Sequence, residues 1–392
     1  MEGEVMHAFF SVGEPSGDQH AAHLIEELRR RDPSFRCSGF GGPQMEQTGC
    51  KIDFQLTDLA VMGVLQVLPL LGRFILLVRR AGRLLRQQRP DVVVLVDFPG
   101  FNWWIAWQAK RAGIPVIYYM PPQLWAWASW RIHRVRKHID HVLCALPFEQ
   151  EWYQAHGVDS IYVGHPFFDE IAEKQLDEKF LERWKGRSRP TVAILPGSRN
   201  QEVTRNWPLM MRVMARLHAK FPEVQFVVAC YKESHRRHCN ARLIPTDAEL
   251  PVPLFAGKTS EILESADCAL MVSGSVSLEM LARRTPAVVV YCASWSMYHL
   301  ARILVRCRFM SLPNLIADRP VLPEFPCVGA ADDAVAGMSE QLIGWLADPA
   351  VLSRKRAELD VLAGKTVAVG ATQRTAETIL QCAGRAPLKR AA

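Results

Sequence analysis

The stretch that most constrains the fold runs from Asp267 to Cys292 and predicts one complete βαβ unit. The apolar run CALMV at 268–272 predicts a buried strand, SGS predicts a turn, and an amphipathic helix carrying Leu278 and Leu281 follows. A second apolar run, AVVVYC, comes directly after that helix. Because a strand, a crossover helix and a strand in this order build a parallel sheet, the stretch predicts an α/β fold.

The same turn, Ser273-Gly274-Ser275, also predicts a phosphate site. Backbone N–H groups at the start of a helix lack partners within the helix, and the helix dipole there favours negative charge. Glu279 lies one helical turn later, where a carboxylate accepts hydrogen bonds from the two hydroxyls of a ribose. An alternative interpretation makes the turn an ordinary helix N-cap and Glu279 a solvated surface residue.

The alternation of strand, loop and helix continues along the whole chain. Apolar β-type runs occur at 6–12, 91–96, 115–120 and 141–146, and again from 191 and at 224–230, 252–255 and 268–272. At 392 residues the chain is too long for one ordinary domain and suits two of α/β size. We therefore predict two doubly wound α/β domains.

Cysteine usage and hydropathy exclude several classes. The ten cysteines are scattered without a CxxC pair, which argues against a zinc site or a disulfide framework and favours the cytosol. The apolar run near the N-terminus is too short for a signal peptide, and no run reaches the roughly 18 residues of a spanning helix. His235, His238 and Cys239 are metal-ligand types but lie in a run with Arg236 and Arg237, so we predict no metal there. We expect a soluble or peripheral protein.

The net charge of +7 is unevenly distributed. Between Leu59 and Pro90 there is no acidic residue, although the segment contains Arg73, Arg79, Arg80, Arg83, Arg86 and Arg89. The segment is also densely apolar, with Val64, Val67, Leu68, Leu71 and Phe74 among its members. This composition predicts contact with an anionic bilayer surface through those apolar residues and the arginines. The alternative is an amphipathic core helix whose arginines are merely solvated.

Loops at two predicted strand ends contain candidate site residues. In GEPSGD, small residues such as Gly17 let a ligand approach the backbone, and Ser16 or Asp18 is expected to cap a helix beginning near Gln19. The run DVVVLV is typical of a buried parallel strand and ends in Asp97. A carboxylate at that end of a central strand lies where α/β folds bind ligands, and the alternative is that Asp97 caps the next helix.

An aromatic loop, PPQLWAWASWR, follows the strand at 115–120. Trp125, Trp127 and Trp130 are interleaved with arginines, a pattern suited to stacking on bases or to a bilayer interface. Nothing else in the chain supports nucleic acid, so we predict none and favour a packing or interface role.

An ordered set of short motifs within residues 11–316 identifies a family. The motifs are GEPSGD, GGPQM, LAVMG, PDVVVLVDFPGFN, PPQLWAW, LPFE, VGHP, LPGSR, SGSVSLE and SLPNL. Together they resemble lipid A disaccharide synthases, glycosyltransferases of the GT-B architecture. The resemblance implies two Rossmann-like domains facing across a cleft, which we place at 1–168 and 169–363. A C-terminal helix and tail, 364–392, are expected to pack on the first domain.

The activity implied by this resemblance is transfer of a sugar with inversion. The donor is UDP-2,3-diacylglucosamine, the acceptor is lipid X (2,3-diacylglucosamine 1-phosphate), and the products are the β-1,6 disaccharide of lipid A and UDP. The resemblance implies no cofactor and a cytoplasmic protein, peripheral on the anionic surface of the inner membrane, and it allows a homodimer. A UDP-sugar 2-epimerase of the same architecture and a peripheral membrane scaffold are the alternative classes.

The resemblance also assigns roles to residues. Asp97 is the base that removes the acceptor's proton, and Arg199 meets the charge of the leaving UDP. No DxD motif is present, so no metal is expected. The further UDP contacts are Gly197, Ser198, Ser273, Gly274, Ser275 and Glu279, and the other substrate contacts are Glu14, Ser16, Gly17 and Asn314. Gly100 stands where the family usually has a second aspartate, which concentrates the base assignment on Asp97.

Overall fold

The computed structural model describes residues 5–60, 71–184, 189–243, 252–329 and 331–385. The chain divides into two compact units. The first comprises Met1–Asp169 with Ala368–Ala392, and the second comprises Glu170–Val367.

The first unit is built on a parallel sheet. Its strands are β1 (His7–Val12), β2 (Arg36–Gly41), β3 (Lys51–Gln55), β4 (Val92–Val96), β5 (Val116–Tyr119), β6 (His141–Cys144) and β7 (Ser160–Tyr162). The helices along this part of the chain are α1 (Pro15–Arg31), α2 (Pro43–Gln47), α3 (Thr57–Ala60), α4 (Leu71–Gln88), α5 (Pro99–Arg111), α6 (Ile132–His138), α7 (Pro147–Ala155) and α8 (Pro166–Glu173). Within the described residues the seven strands lie in the order β3-β2-β1-β4-β5-β6-β7.

The second unit repeats the plan. Its strands are β8 (Thr191–Leu195), β9 (Gln225–Cys230), β10 (Leu254–Ala256), β11 (Cys268–Val272), β12 (Ala287–Ala293) and β13 (Glu324–Val328). Its helices are α9 (Glu178–Trp184), α10 (Asn200–Lys220), α11 (Glu233–Asn240), α12 (Thr259–Ser265), α13 (Val276–Ala282), α14 (Trp295–Leu304), α15 (Leu312–Ala317), α16 (Asp332–Ala347) and α17 (Pro349–Thr366). In the described part of the chain its six parallel strands have the order β10-β9-β8-β11-β12-β13. The prediction of two doubly wound α/β domains is confirmed.

The central strand β4 shows why the sheet needs helices on both faces. Its residues VVVLV are all buried, and successive side chains of a strand point to opposite faces. Val93 and Leu95 pack with residues of α4 and α5, whereas Val92, Val94 and Val96 pack on the other face with residues of α1. A continuous β-branched run therefore forms a strand buried on both sides.

The last helix, α18 (Ala371–Leu380), belongs to the first unit and packs against α1. Its start is fixed by Asp169, whose carboxylate accepts hydrogen bonds from the backbone N–H of Gly370 at 2.6 Å and of Thr372 at 2.8 Å. Farther along the helix, Arg374 Nε donates to the carbonyl oxygen of Val163 at 2.8 Å. The two hydrogen bonds to Asp169 satisfy N–H groups that a helix start leaves without partners.

Helix α4 is the described portion of the acid-free segment. Val64, Val67 and Leu68 lie outside the described residues, as does the side chain of Leu71. Phe74, predicted to contact membrane, is instead half-buried, and its ring packs edge-on against Phe101 with centroids 4.9 Å apart. It lies one turn before the buried Leu77, on the stripe that faces the core.

The opposite face of α4 is exposed and carries both charge and apolar surface. Arg73, Arg79, Arg80, Arg83 and Arg86 are exposed there. Ile75 and Leu76, which lie between Arg73 and Arg79 in the sequence, are 54% and 62% exposed. No helix among the described residues combines the length and the apolar character needed to cross a bilayer.

Candidate active site

Strand order reverses once in each sheet, between β1 and β4 and between β8 and β11. Open α/β sheets bind ligands beyond the carboxyl ends of the strands at such a point. Val12 of β1 pairs with Val96 of β4, and Leu195 of β8 pairs with Met271 of β11, so each pair of strands ends side by side. The loops that follow are GEPSGD and the Asp97 loop in the first unit, and PGSR and SGS in the second. The predicted site loops are thus paired, two in each unit.

The backbone at Asp97 is strained and firmly held. Asp97 and Phe98 both have left-handed conformations, with φ of 45° and 47°, which cost about 1–3 kcal/mol each for residues other than glycine. The carbonyl oxygen of Asp97 accepts hydrogen bonds from Asn102 Nδ2 at 2.7 Å and from the Tyr118 hydroxyl at 2.8 Å. Helix α5 has Phe98 as its N-cap, so the alternative in which Asp97 caps this helix is wrong.

Asn102 is a positioning residue that the sequence analysis missed. It is fully buried on α5, accepts a hydrogen bond from Ser11 Oγ at 2.7 Å, and donates to the Ser11 carbonyl at 3.1 Å. It therefore joins the end of β1 to the Asp97 loop. A single amide within the apolar helical run GFNWWIAW was the available signal, because a buried polar side chain needs partners.

Burial raises the pKa of the Asp97 carboxyl above that of an ordinary aspartate. A hydrogen bond from the Phe98 backbone and the charge of His20 oppose this rise. Nearby, burial and then the charge of His20 lower the pKa of His165, in the VGHP motif, to about 3. The rings of His20 and His165 lie edge-on, 6.3 Å apart. Asp97 is therefore a more basic carboxylate than usual, and His165 is neutral at physiological pH.

The GEPSGD loop packs tightly against the Asp97 loop. A Cβ atom on Gly13 would lie 2.1 Å from Cδ1 of Phe98, and one on Gly17 would lie 3.1 Å from a methyl group of Val12. Glu14 is the half-buried N-cap residue of α1, and Ser16 is exposed. The glycines are thus required by packing as well as by any ligand.

Asp18 does not cap α1, contrary to the prediction, because α1 begins at Pro15 rather than near residue 19. Its buried carboxylate instead accepts hydrogen bonds from the backbone N–H of Gly42 and Gln44, both at 2.9 Å, and of Met45 at 3.2 Å. These are the N–H groups at the start of α2, which have no partners within that helix. Asp18 therefore ties the GGP loop to the start of α1.

In the second unit, Glu202 shapes the PGSR loop. Its Oε2 atom accepts hydrogen bonds from the backbone N–H of Ser198 and Arg199, both at 3.1 Å, and its Oε1 atom lies 2.8 Å from Arg199 Nη1. Gly197 has φ of 124°, and a Cβ there would lie 2.7 Å from Cβ of Glu202. The Arg199 side chain is 82% exposed, so this ion pair contributes little stability and leaves the guanidinium available to a ligand.

His235, a residue of metal-ligand type, braces the start of α10. Its Nε2 atom lies 2.8 Å from Oδ1 of Asn200, next to the PGSR loop. Burial and the charge of Lys232 lower its pKa. No group of three or more His, Cys, Asp or Glu side chains in the described part of the chain is arranged to hold a metal ion.

The SGS turn is held by the segment that precedes α15. Ser273 Oγ donates to the carbonyl oxygen of Met310 at 2.6 Å. Ser275 is the N-cap of α13 but makes no side-chain capping bond, and Glu279 is only 6% exposed. The alternative interpretation is therefore right that this turn provides the N-cap residue of α13, although no side chain caps the helix, and wrong that Glu279 is solvated.

Glu279 belongs to a buried ion-pair cluster. Arg283 Nε lies 3.3 Å from Glu279 Oε1, and Arg283 Nη1 lies 3.1 Å from Glu264 Oε2. One guanidinium thus pairs with two carboxylates and restrains the side chain of Glu279. Removal of Arg283 would leave the buried carboxylate of Glu279 without its ion-pair partner.

The side-chain amide of Asn314 is engaged within its own unit. It donates to the Leu322 carbonyl at 2.8 Å and to Glu324 Oε1 at 2.7 Å, and accepts from the Leu322 N–H at 2.7 Å. Glu324 also accepts a hydrogen bond from the N–H of Met310 at 2.8 Å. Asn314 therefore supports the segment that holds Ser273, and its predicted contact with substrate stays a prediction.

The aromatic loop of the first unit is anchored by Glu149 of the LPFE motif. Trp125 Nε1 donates to Glu149 Oε1 at 3.0 Å, and burial raises the pKa of Glu149 to about 7. Trp127 and Trp130 are exposed, and the guanidinium of Arg131 lies 5.1 Å and 6.0 Å from their ring centroids. The two motifs thus form one structural element.

Comparison with known sequences gives consistent matches. A sequence model of the family described as lipid-A-disaccharide synthetase matches residues 8–338. The chain is 36% identical over 369 residues to the lipid-A-disaccharide synthase of Anaeromyxobacter dehalogenans (strain 2CP-1), covering 94% of this chain and 95% of that protein. It is 35% identical over 386 residues to the lipid-A-disaccharide synthase of Azotobacter vinelandii, covering 97% and 99%.

Solved structures share the fold at much lower identity. The UDP-GlcNAc 2-epimerase of Neisseria meningitidis, bound to UDP-GlcNAc, has a TM-score of 0.65 at 13% identity, covering 96% of this chain and all of that chain. MurG of Acinetobacter baumannii has a TM-score of 0.59 at 14% identity, covering 96% and 99%. These likenesses show a GT-B type of α/β fold.

Proposed function

Since the chain belongs to the lipid-A-disaccharide synthase family and is a glycosyltransferase of lipid A biosynthesis, we propose that it transfers 2,3-diacylglucosamine from UDP to lipid X with inversion, giving the β-1,6 disaccharide and UDP. The observation that supports this most is the placement of Asp97 and Arg199 in loops at the two strand-order reversals. Ligands of α/β sheets bind at such points. One loop supplies a base, and the other supplies a cation for a leaving phosphate.

The proposed chemistry is one displacement at the anomeric carbon of the donor. The Asp97 carboxylate takes the proton of the acceptor hydroxyl as that oxygen bonds to the anomeric carbon. The bond from this carbon to the UDP oxygen breaks on the opposite face, which inverts the configuration. UDP leaves with the bonding electrons, and Arg199 meets the charge that develops. The raised pKa of Asp97 suits a base, and the exposed guanidinium of Arg199 suits a phosphate ligand.

A direct test follows UDP release and product mass. UDP is expected to accumulate only when the donor and lipid X are both present, and mass spectrometry is expected to find the disaccharide. Release of UDP from the donor alone would indicate hydrolysis. Conversion of the UDP-sugar to its 2-epimer would support the epimerase alternative, for which the present likeness of 13% identity shows the fold alone.

For the nucleotide, we assign the ribose to Glu279 and the phosphates to Gly197, Ser198, Arg199 and the SGS turn. Arg283 holds one oxygen of the Glu279 carboxylate, and the other oxygen is the proposed ribose acceptor. We place Glu14, Ser16 and Gly17 near the acceptor, because their loop packs on the Asp97 loop.

Glu279→Gln is expected to weaken UDP binding by about 1.5 kcal/mol, roughly tenfold, through loss of charged hydrogen bonds to the ribose. The amide keeps the shape of the side chain, whereas alanine would leave Arg283 short of one partner. Calorimetry with UDP, with and without EDTA, measures the change. Glu264→Gln is the matched control, because Glu264 pairs with the same arginine but has no assigned ligand. Equal losses in both variants would refute the ribose assignment, and EDTA-sensitive binding would refute a metal-free site.

We propose that the exposed face of α4 contacts the anionic inner membrane on its cytoplasmic side. Among the described residues, we assign the apolar membrane contacts to the exposed Ile75 and Leu76 rather than to Phe74, because the Phe74 ring packs against Phe101. Arg73, Arg79 and Arg80 are expected to meet lipid phosphates, each contributing about 1 kcal/mol.

The double variant Ile75→Ser/Leu76→Ser is expected to lose vesicle binding while its melting temperature stays unchanged. Phe74→Ser is the matched control on the same helix. It should instead lower the free energy of unfolding, by at most the roughly 3–5 kcal/mol that truncation of a buried phenylalanine costs. Flotation with anionic vesicles at low and high salt, beside thermal melts, measures both. Unchanged flotation by the double variant would remove this face of α4 from membrane contact.

A further inference from the structure

The second unit has its own acid-free segment, and the helix α14 within it has no assigned role. Residues 280–317 contain no aspartate or glutamate, although they contain Arg302, Arg306 and Arg308. The segment includes α14, which begins just after the carboxyl end of β12. Its composition resembles that of the segment at 59–90 in the first unit, which is also basic and apolar.

The large apolar side chains of this segment are unusually exposed. Trp295 and Ile303 are 70% and 79% exposed, and Leu304 and Val305 are also exposed. Single exposed apolar residues are ordinary, but several on one short helix and its continuation mark an interaction surface.

Two arginines of this surface lie beside aromatic rings. The guanidinium of Arg302 lies 5.9 Å from the ring centroid of Tyr298, and that of Arg308 lies 5.6 Å from the ring of Phe309. None of the salt bridges between described residues includes Arg302, Arg306 or Arg308. An ordinary solvated helix face mixes both signs of charge, whereas tryptophan with unpaired arginines suits the headgroup region of an anionic bilayer.

We propose that α14 and residues 305–308 form a second bilayer-contact surface, located in the nucleotide-binding unit and specific for anionic phospholipid. Charge complementarity selects this occupant over a second copy of the chain, because the exposed arginines of two such surfaces would repel each other. The segment that leaves α14 reaches Met310, whose carbonyl holds Ser273 of the SGS turn. Given the proposed function, this surface would keep the acyl chains of the donor near lipid while its UDP group is bound.

Flotation without substrate tests the proposal independently of the enzymatic assignments. The full-length wild type is compared with the double variant Trp295→Ser/Ile303→Ser on two kinds of vesicle. One contains phosphatidylcholine with about 30% phosphatidylglycerol, which gives strong anionic charge, and the other contains phosphatidylcholine alone. The double variant should bind the anionic vesicles at least about tenfold more weakly. The double variant Arg302→Ser/Arg306→Ser should bind anionic vesicles about 25-fold more weakly, because each cation near the surface contributes about fivefold to the affinity. Its binding to neutral vesicles should not change.

The matched control is Val361→Ser on α17, in the same unit. Val361 is 61% exposed but lies beside Asp360 on a helix of mixed charge, so its variant should bind vesicles like wild type. All the substituted side chains are exposed, so the melting temperatures of the variants should equal that of the wild type. Repeating the series in the Ile75→Ser/Leu76→Ser background isolates the contribution of α14 to vesicle binding.

Three results would overturn the proposal. One is unchanged flotation of both α14 variants. Another is a change in molar mass by light scattering without a change in flotation, which would make the surface a contact between copies. The third is an increased KM for detergent-dispersed donor with unchanged flotation, which would make the surface an acyl-chain site of the enzyme itself.

Discussion

Asp97→Asn is expected to lower kcat by at least about 10²-fold, because loss of a general base typically costs that much. Asparagine keeps the size of the side chain and cannot accept the proton. The backbone contacts that hold residue 97, from Asn102 and Tyr118 to its carbonyl oxygen, do not involve the side chain. Steady-state kinetics at saturating donor and acceptor, beside calorimetry with UDP, should show lost turnover with retained nucleotide affinity.

The stability of the same variant separates chemistry from folding. The pKa of Asp97 is raised in the folded state, so its contribution to stability is fully present below the unfolded pKa and is lost as pH rises through the folded pKa. At pH 7 the buried carboxylate therefore opposes folding, and Asp97→Asn should melt at or above the wild-type temperature. A destabilised variant would contradict the raised pKa of Asp97, and near-wild-type turnover would contradict its role as the base.

The raised pKa also determines the pH profile. The base acts only when ionised, so kcat/KM should fall on the acid side with an apparent pKa above the roughly 3.9 of an ordinary aspartate. This acid limb should be absent from the residual activity of Asp97→Asn. An identical acid limb in both proteins would assign it to a group other than Asp97.

Arg199→Ala is expected to lower kcat by about 10²–10³-fold, the usual effect of removing a group aimed at charge that develops in the transition state. Its effect on UDP affinity should be smaller, because the proposed contacts of UDP with the SGS turn and Glu279 remain. The side chain is largely exposed and its ion pair with Glu202 is on the surface, so the melting temperature should change little. Single-turnover measurements separate the chemical step from product release.

Arg199→Lys and Glu202→Gln are informative controls. Lysine restores the charge without the planar guanidinium, so it should recover part of kcat if charge is what matters. Glu202→Gln removes the ion pair and alters the oxygen that accepts from Ser198 and Arg199, so it should disturb nucleotide binding more than Arg199→Ala does. If Arg199→Ala changed only KM, the arginine would be a ground-state contact rather than a catalytic group.

The fold class and the family were readable from the sequence because both depend on local patterns. Continuous β-branched runs such as VVVLV form strands buried on both faces, and their alternation with amphipathic helices dictates parallel sheets. The ordered motifs identified the family, which the comparisons confirm. The loops that carry Asp97 and Arg199, and the turn before the helix that carries Glu279, were likewise visible, because each directly follows a predicted strand.

What the sequence could not supply was the set of partners of each side chain. Asp18 was assigned to its own helix, but its partners are the N–H groups of a loop more than twenty residues away. Phe74 fitted a membrane segment by composition, yet its position one turn from Leu77 turns it toward Phe101. Glutamate is usually a surface residue, but Glu279 is buried, and its ion pair with Arg283 offsets the free-energy cost of burying its charge.

The sequence by itself therefore determined the order of strands and helices, the family and the loops that carry the candidate chemistry, since these follow from neighbouring residues and periodicity. The tertiary structure decided the protonation and positioning of those groups. Asn102 and Tyr118 fix the strained Asp97, burial raises the pKa of its carboxyl, and Glu202 shapes the PGSR loop. The physical reason is that desolvation and hydrogen bonding depend on residues that are distant along the chain and adjacent only after folding.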